Sequence, residues 1–171
     1  MTGLRGIDQS RAALEIADRN RAANPGLRAE TDWLEADAFG LLRALDEAAR
    51  PVATSGKRAQ GLAGLPAQFA AIVLDPPAFA KSKRAAESAL RGYKELNLRA
   101  LRLLAPGGTL VTCSCSHHVS LLEFTEILNA AAADAGRRVQ LLETRGAAPD
   151  HPEVLTLPES RYLKCLICRV D

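Results

Sequence analysis

Two apolar runs of buried-strand type lead directly into reactive side chains. Ala71-Ile72-Val73-Leu74 is followed by Asp75-Pro76-Pro77-Ala78-Phe79, and Leu110-Val111 by Thr112-Cys113-Ser114-Cys115-Ser116. Such runs alternate with segments of helical periodicity along the chain. That alternation predicts βαβ units in an α/β fold, with a mostly parallel sheet and helices on both faces. In an open parallel sheet, ligands bind outside the carboxyl ends of the strands. Asp75 and a cysteine thiol are therefore expected to face one crevice.

The remaining elements follow from period and punctuation. Leu4 to Ile7 reads as the end of a strand closed by Asp8. Ser10 is placed to cap a helix from Arg11 to about Ala23, which Asn24-Pro25-Gly26 stops. A short strand over 31–35 leads to Asp37, and Phe39, Leu42 and Leu45 then fall at helical spacing. Residues 50–68 are rich in small residues without periodicity and read as an exposed loop, an insertion in the domain. The longest helix spans about 85–104, with Leu90, Tyr93, Asn97, Ala100, Leu101 and Leu104 on one stripe. Pro106-Gly107-Gly108 is expected to end it. A strand over 109–113 follows. Ser120 and Glu123 form a capping box, Gly136 closes the helix they open, and strands are expected over 139–143 and 162–170.

The chain has 171 residues, which suits one domain with a sizeable core. A net charge of +2 neither demands nor excludes a nucleic-acid partner. Arg far outnumbers Lys, and Arg suits phosphate and base contacts. No apolar stretch is long enough to span a bilayer, and the first residues lack the apolar core of a leader. The expected location is cytoplasmic and reducing, so Cys113, Cys115, Cys165 and Cys168 are read as free thiols. Cys165 and Cys168 would point to opposite faces of a strand, which argues against a metal site.

Asp8, between a strand and a helix, is the type of acid that holds ribose hydroxyls in nucleoside-binding sheets. It is equally the type that starts a helix. Asp37 invites the same two readings: it can accept from an adenine amino group, with Phe39 flanking the ring, or start a helix. Asp75-Pro76-Pro77 is a stiff, extended turn rich in acceptors, because each proline fixes its own φ and restricts the residue before it. A flipped base can present its amino group there. Cys113 and Cys115 share one side of their strand. Cys165, Cys168 and Cys113 suit the core, whereas Cys115 lies past the expected strand end among Ser116 and His117. A carboxylate holding a base edge beside a sulfur that attacks the ring suits carbon-5 pyrimidine methylation.

Several motifs together resemble the S-adenosylmethionine-dependent large-subunit rRNA methyltransferases that make 5-methylcytosine. They are Gly6-Ile7-Asp8-Gln9-Ser10, Asp37-Ala38-Phe39, the run Val73 to Lys83, Gly92-Tyr93-Lys94-Glu95-Leu96-Asn97, Pro106-Gly107-Gly108, Thr112 to Ser116 and Arg161-Tyr162-Leu163-Lys164-Cys165. The resemblance implies a Rossmann-like class I methyltransferase sheet, S-adenosyl-L-methionine as cofactor and ribosomal RNA as partner. It implies Asp8 on the cofactor ribose, Asp37 and Phe39 at the adenine, Asp75 at the site and Cys115 as nucleophile. Pro76, Pro77 and Phe79 are expected on the RNA side; Lys81, Lys83 and Tyr93 are read either there or, for the lysines, at a solvated helix start and, for Tyr93, in the core.

Two departures shape the expectation. The family's glycine-rich cofactor loop lies about 20 residues before the ribose acid, and Asp8 is the eighth residue here. The chain is thus expected to be a fragment lacking its central first strand. The strands ending at Asp8 and Asp75 would then be separated by roughly 9.6 Å, too far to pair. Exposed edges of that kind favour association, including a homodimer. Second, position 78 is Ala where a related group has another cysteine, so one thiol is expected to act. Two rival readings are kept. One is an amino-group methyltransferase of adenine or cytosine, which would place an aromatic residue directly after the prolines. The other is a non-catalytic domain that binds RNA or a partner.

Overall fold

The computed structural model describes residues 3–49, 66–79 and 86–171, which fall into two compact units, Met1–Ala44 and Leu45–Asp171. The segment 50–65 of the expected insertion, and Lys81 and Lys83, lie outside the described residues.

In the first unit, β1 (Gly3–Asp8) and β2 (Glu30–Glu35) pair in parallel, from Gly3 opposite Glu30 to Asp8 opposite Glu35. The helix α1 (Arg11–Ala22) connects them. Ser10 caps it, accepting from the Ala13 amide at 3.3 Å, as its position before the apolar periodicity predicts. The Trp33 ring lies so close over Gly6 that a Cβ there would collide with it. Gly6 is therefore the residue that lets β1 carry a large neighbour. The helix α2 (Ala38–Ala48) begins just past β2.

The second unit contains β3 (Phe69–Leu74), α3 (Ala86–Leu103), β4 (Leu104–Ser114), α4 (Leu121–Ala135), β5 (Val139–Arg145) and β6 (Lys164–Val170). Its strand order is β3-β4-β6-β5. The β3–β4 ladder is parallel, whereas β6 runs antiparallel to both neighbours. Parallel pairing requires a crossover, usually a helix. The described link between β5 and β6 holds only a 3-10 turn at Pro158–Ser160, so β6 enters reversed. Among the described residues, no ladder joins β1 to β3.

Burial on the sheet follows parity. Leu110, Thr112 and Ser114 of β4 and Lys164, Leu166, Cys168 and Val170 of β6 are buried on one face. Val111, Cys113, Cys165 and Ile167 lie on the half-open opposite face. The helices α3 and α4 pack over the closed face, with Tyr93, Leu96, Ala100, Leu101, Phe124 and Leu128 buried. Leu101 is fully buried. Leu101→Ala is expected to cost about 2–5 kcal/mol, measured by urea unfolding.

The end of α3 differs from expectation. Strand pairing begins at Leu104, before Pro106-Gly107-Gly108, and the register jumps from Phe69–Leu104 to Ala71–Thr109. The proline and glycines form a bulge within β4 rather than a stop before it, and Gly107 takes a φ of 77° that glycine tolerates. Arg137 secures this corner. Its Nη1 donates to the Leu101 and Leu104 carbonyls, each at 2.8 Å.

The capping box forms as read. Ser120 Oγ accepts from the Glu123 amide at 3.2 Å, and Glu123 Oε2 accepts from the Ser120 amide at 2.8 Å. Bonds from the Ser120 hydroxyl and then its backbone amide lower the Glu123 pKa from 4.5. A depressed carboxylate contributes stability that is present above 4.5 and lost as pH falls through the folded value. Ser120→Ala is expected to cost about 1 kcal/mol near neutral pH. Its deficit should shrink as pH falls through that window in urea titrations.

Candidate active site

In the first unit, the parallel register brings the ends of β1 and β2 level, which sets Asp8 and Asp37 side by side. Asp8 Oδ1 accepts from the Ser10 amide at 2.7 Å. The next residue, Gln9, donates from Nε2 to Asp37 Oδ1 at 2.8 Å. Asp37 Oδ2 accepts from the Gly40 amide, also at 2.8 Å, and so caps α2. Asp37 therefore starts a helix, and each of its carboxylate oxygens accepts one bond while the residue stays exposed. Phe39 is half-buried in the first turn of α2. Exposed carboxylates at parallel strand ends can accept from the hydroxyl and amino donors of a nucleoside.

In the second unit, Asp75 is exposed immediately after β3. Pro76 is half-buried and Pro77 exposed. The Cys115 thiol donates to the Pro76 carbonyl across 3.8 Å. The acidic turn and the thiol that the sequence separates by forty residues thus meet. Phe79 is half-buried and lies against Tyr93, their ring centroids 4.7 Å apart.

Of its two readings, Tyr93 takes the core one. It is 1% exposed, and its hydroxyl lies 2.9 Å from Ser116 Oγ. A side chain enclosed by Phe79, Phe124 and Ser116 cannot touch RNA directly. Its helical stripe placed it in the core, and its role is to support the segment after Cys115.

Cys113 and Cys115 share the half-open parity, but their surroundings differ. Burial, then the hydrogen bond and charge of Cys165, then the charges of Asp75 and Cys115, push the Cys113 thiol up to about 12. Burial foremost, then the charge of Cys165, pushes Cys168 up to about 11. Both are held as neutral thiols. All four cysteines are free. Among the described residues, no group of three His, Cys, Asp or Glu is placed to hold a metal. No described helix is long and apolar enough to cross a membrane.

Sequence reading missed Lys164. It is 6% exposed, and its Nζ donates to the Ser116 carbonyl at 2.7 Å. Burial lowers its pKa from 10.5, while the charges of Cys115 and Glu123 act in the opposite direction. The signal was present: Lys164 shares the strand parity of Leu166, Cys168 and Val170, where an apolar residue is the rule.

This architecture is that of the Rossmann-like methyltransferases. SMU.776 in complex with SAH superposes with a TM-score of 0.73 at 15% identity, covering 98% of this chain and 39% of its own. NSun6 from Pyrococcus horikoshii with SFG gives 0.56 at 15% identity, covering 98% of this chain and 41% of its own. In sequence the chain is similar to ribosomal RNA large subunit methyltransferase I. The protein of that name from Serratia proteamaculans is 41% identical over 164 residues, and that from Pseudoalteromonas atlantica 39%. Each match covers 96% of this chain, which spans 37% of the relative's length. No family model matches.

Proposed function

We propose that this chain is the catalytic part of an S-adenosylmethionine-dependent methyltransferase acting on C5 of a cytosine in large-subunit rRNA. The observation that carries the reading is the Cys115 thiol set against the Asp75-Pro76-Pro77 turn. Similarity to methyltransferases named for large-subunit rRNA supports the substrate class. A structural neighbour in complex with SAH supports the cofactor.

Asp8 and Asp37 would hold the cofactor's ribose and adenine, with Phe39 against the ring. Bound there, S-adenosylmethionine supplies the methyl group that C5 accepts. An unpaired or flipped cytosine offers its N4 amino hydrogens to the exposed carboxylate of Asp75 and to the acceptors of the proline turn. Cys115 adds to C6 as a thiolate, which makes C5 carbanion-like, and Asp75 steadies the ring. After methylation, C5 gives up its proton to a base, the C5–C6 double bond re-forms and the Cys115 thiolate departs.

The test fuses this chain into the Serratia relative in place of the residues it matches. The fusion is supplied with S-adenosylmethionine and unmodified large-subunit rRNA, and the nucleosides are resolved by mass spectrometry. The expected product is 5-methylcytidine. N4-methylcytidine or N6-methyladenosine would instead place the protein among amino-group methyltransferases. A folded fusion that methylates nothing would favour a binding domain.

A further inference from the structure

We propose that Lys164 is the positioning residue for Cys115, its buried ammonium fixing the Cys115–Ser116 segment through the Ser116 carbonyl. This rests on the reading of Cys115 as a nucleophile. Lys164 sits opposite Ser114 in the β4–β6 ladder, yet its Nζ reaches the carbonyl of Ser116 at 2.7 Å. The side chain therefore spans the strand end on which Cys115 lies. Tyr93 reaches Ser116 Oγ from α3, so the residue after Cys115 is gripped from two elements.

A single neutral carbonyl poorly compensates a buried ammonium, and such a charge calls for an anion. The groups acting on Lys164 are Cys115 and Glu123. Glu123 is already bonded to the Ser120 amide and hydroxyl at 2.8 and 2.6 Å. Other titratable groups nearby are Cys113, held neutral, with Cys165 and Asp75 acting on it, and Tyr93. Of these groups, Cys115 is the one on the segment that Lys164 holds. Burying a lysine is costly to stability, and a costly charge beside a nucleophile marks a functional device.

The test needs no methyl transfer. Cys115 of the intact chain is alkylated with iodoacetamide at pH 7.5 and followed by site-resolved mass spectrometry. Cys113 and Cys168, raised to about 12 and about 11, react little there. Lys164→Met should slow Cys115 alkylation about tenfold, because the segment loses its anchor on the Ser116 carbonyl and the nearby positive charge together. Its Tm should stay within about 5 °C of wild type or rise, since a buried charge is replaced by an apolar side chain. Lys164→Arg should restore most of the rate. Wild-type alkylation by a folded Lys164→Met variant would overturn the proposal. So would slowing that accompanies a larger fall in Tm and is not rescued by Arg, since that pattern describes a purely structural lysine. Should Cys115 prove dispensable for methylation while Lys164→Met still slows its alkylation, the catalytic reading fails and the coupling stands.

Discussion

Cys115→Ala should eliminate both methyl transfer to rRNA and covalent capture of RNA carrying 5-fluorocytosine. The expected loss is roughly a thousandfold or more, about 4 kcal/mol of barrier. Cys113→Ala should keep both activities. The contrast is built into neighbouring residues of one strand. Cys113 is held neutral by burial and its partner Cys165, whereas Cys115 lies beyond the last ladder pair and against Pro76. Capture is read on denaturing gels, and methylation by transfer of label from S-adenosylmethionine. Methylation of C5 by the Cys115→Ala variant would remove the nucleophile assignment.

Asp8→Ala and Asp37→Ala should each weaken S-adenosylmethionine binding in the fusion with the relative. Losing a charged hydrogen-bond partner costs about 1.5–3 kcal/mol, or roughly 10- to 150-fold in affinity by calorimetry. Asp37 has a second duty, because its Oδ2 caps α2. Asp37→Ala should therefore also lower stability by about 1 kcal/mol. Asp37→Asn separates the two duties, since Asn caps as well as Asp but carries no charge. It should keep stability and still lose affinity. Unchanged affinity in both alanine variants would dismiss the cofactor assignment.

Local signals in this chain transferred well to the structure. Ser10 caps α1, and the Ser120–Glu123 box opens α4, because both depend on bonds within a few residues. The stripe read on α3 found buried Tyr93, Asn97, Ala100 and Leu101, but it missed Ala89, Leu96 and Leu103 and included the half-buried Leu90. The meeting of Asp75's turn with Cys115 was legible because strand ends of one sheet share an edge. Longer-range choices were not. A strand pattern does not name its partner, so the reversed entry of β6 between β4 and β5 had no local mark. Tyr93 carried an ambiguous label: an aromatic in a family motif suits RNA stacking as well as a core, and three-dimensional packing decided for the core. Lys164 went unremarked because a lysine in a strand is normally solvent-facing, and only the parity of its neighbours exposes the exception.

The β4–β6 ladder has a consequence for the order in which the site takes shape as the chain is made. Ser114 and Lys164 are neighbours across the sheet but fifty residues apart along the chain. The β3–β4 ladder and the α3–α4 contact use only residues up to Ala135. A nascent chain can therefore assemble them while β6 is still inside the ribosome, since synthesis delivers about 5–20 residues per second. Throughout that interval the Ser116 carbonyl lacks the ammonium that later binds it. That grip closes only when β6 slides between β4 and β5, so a strand made later locks the end of one made earlier.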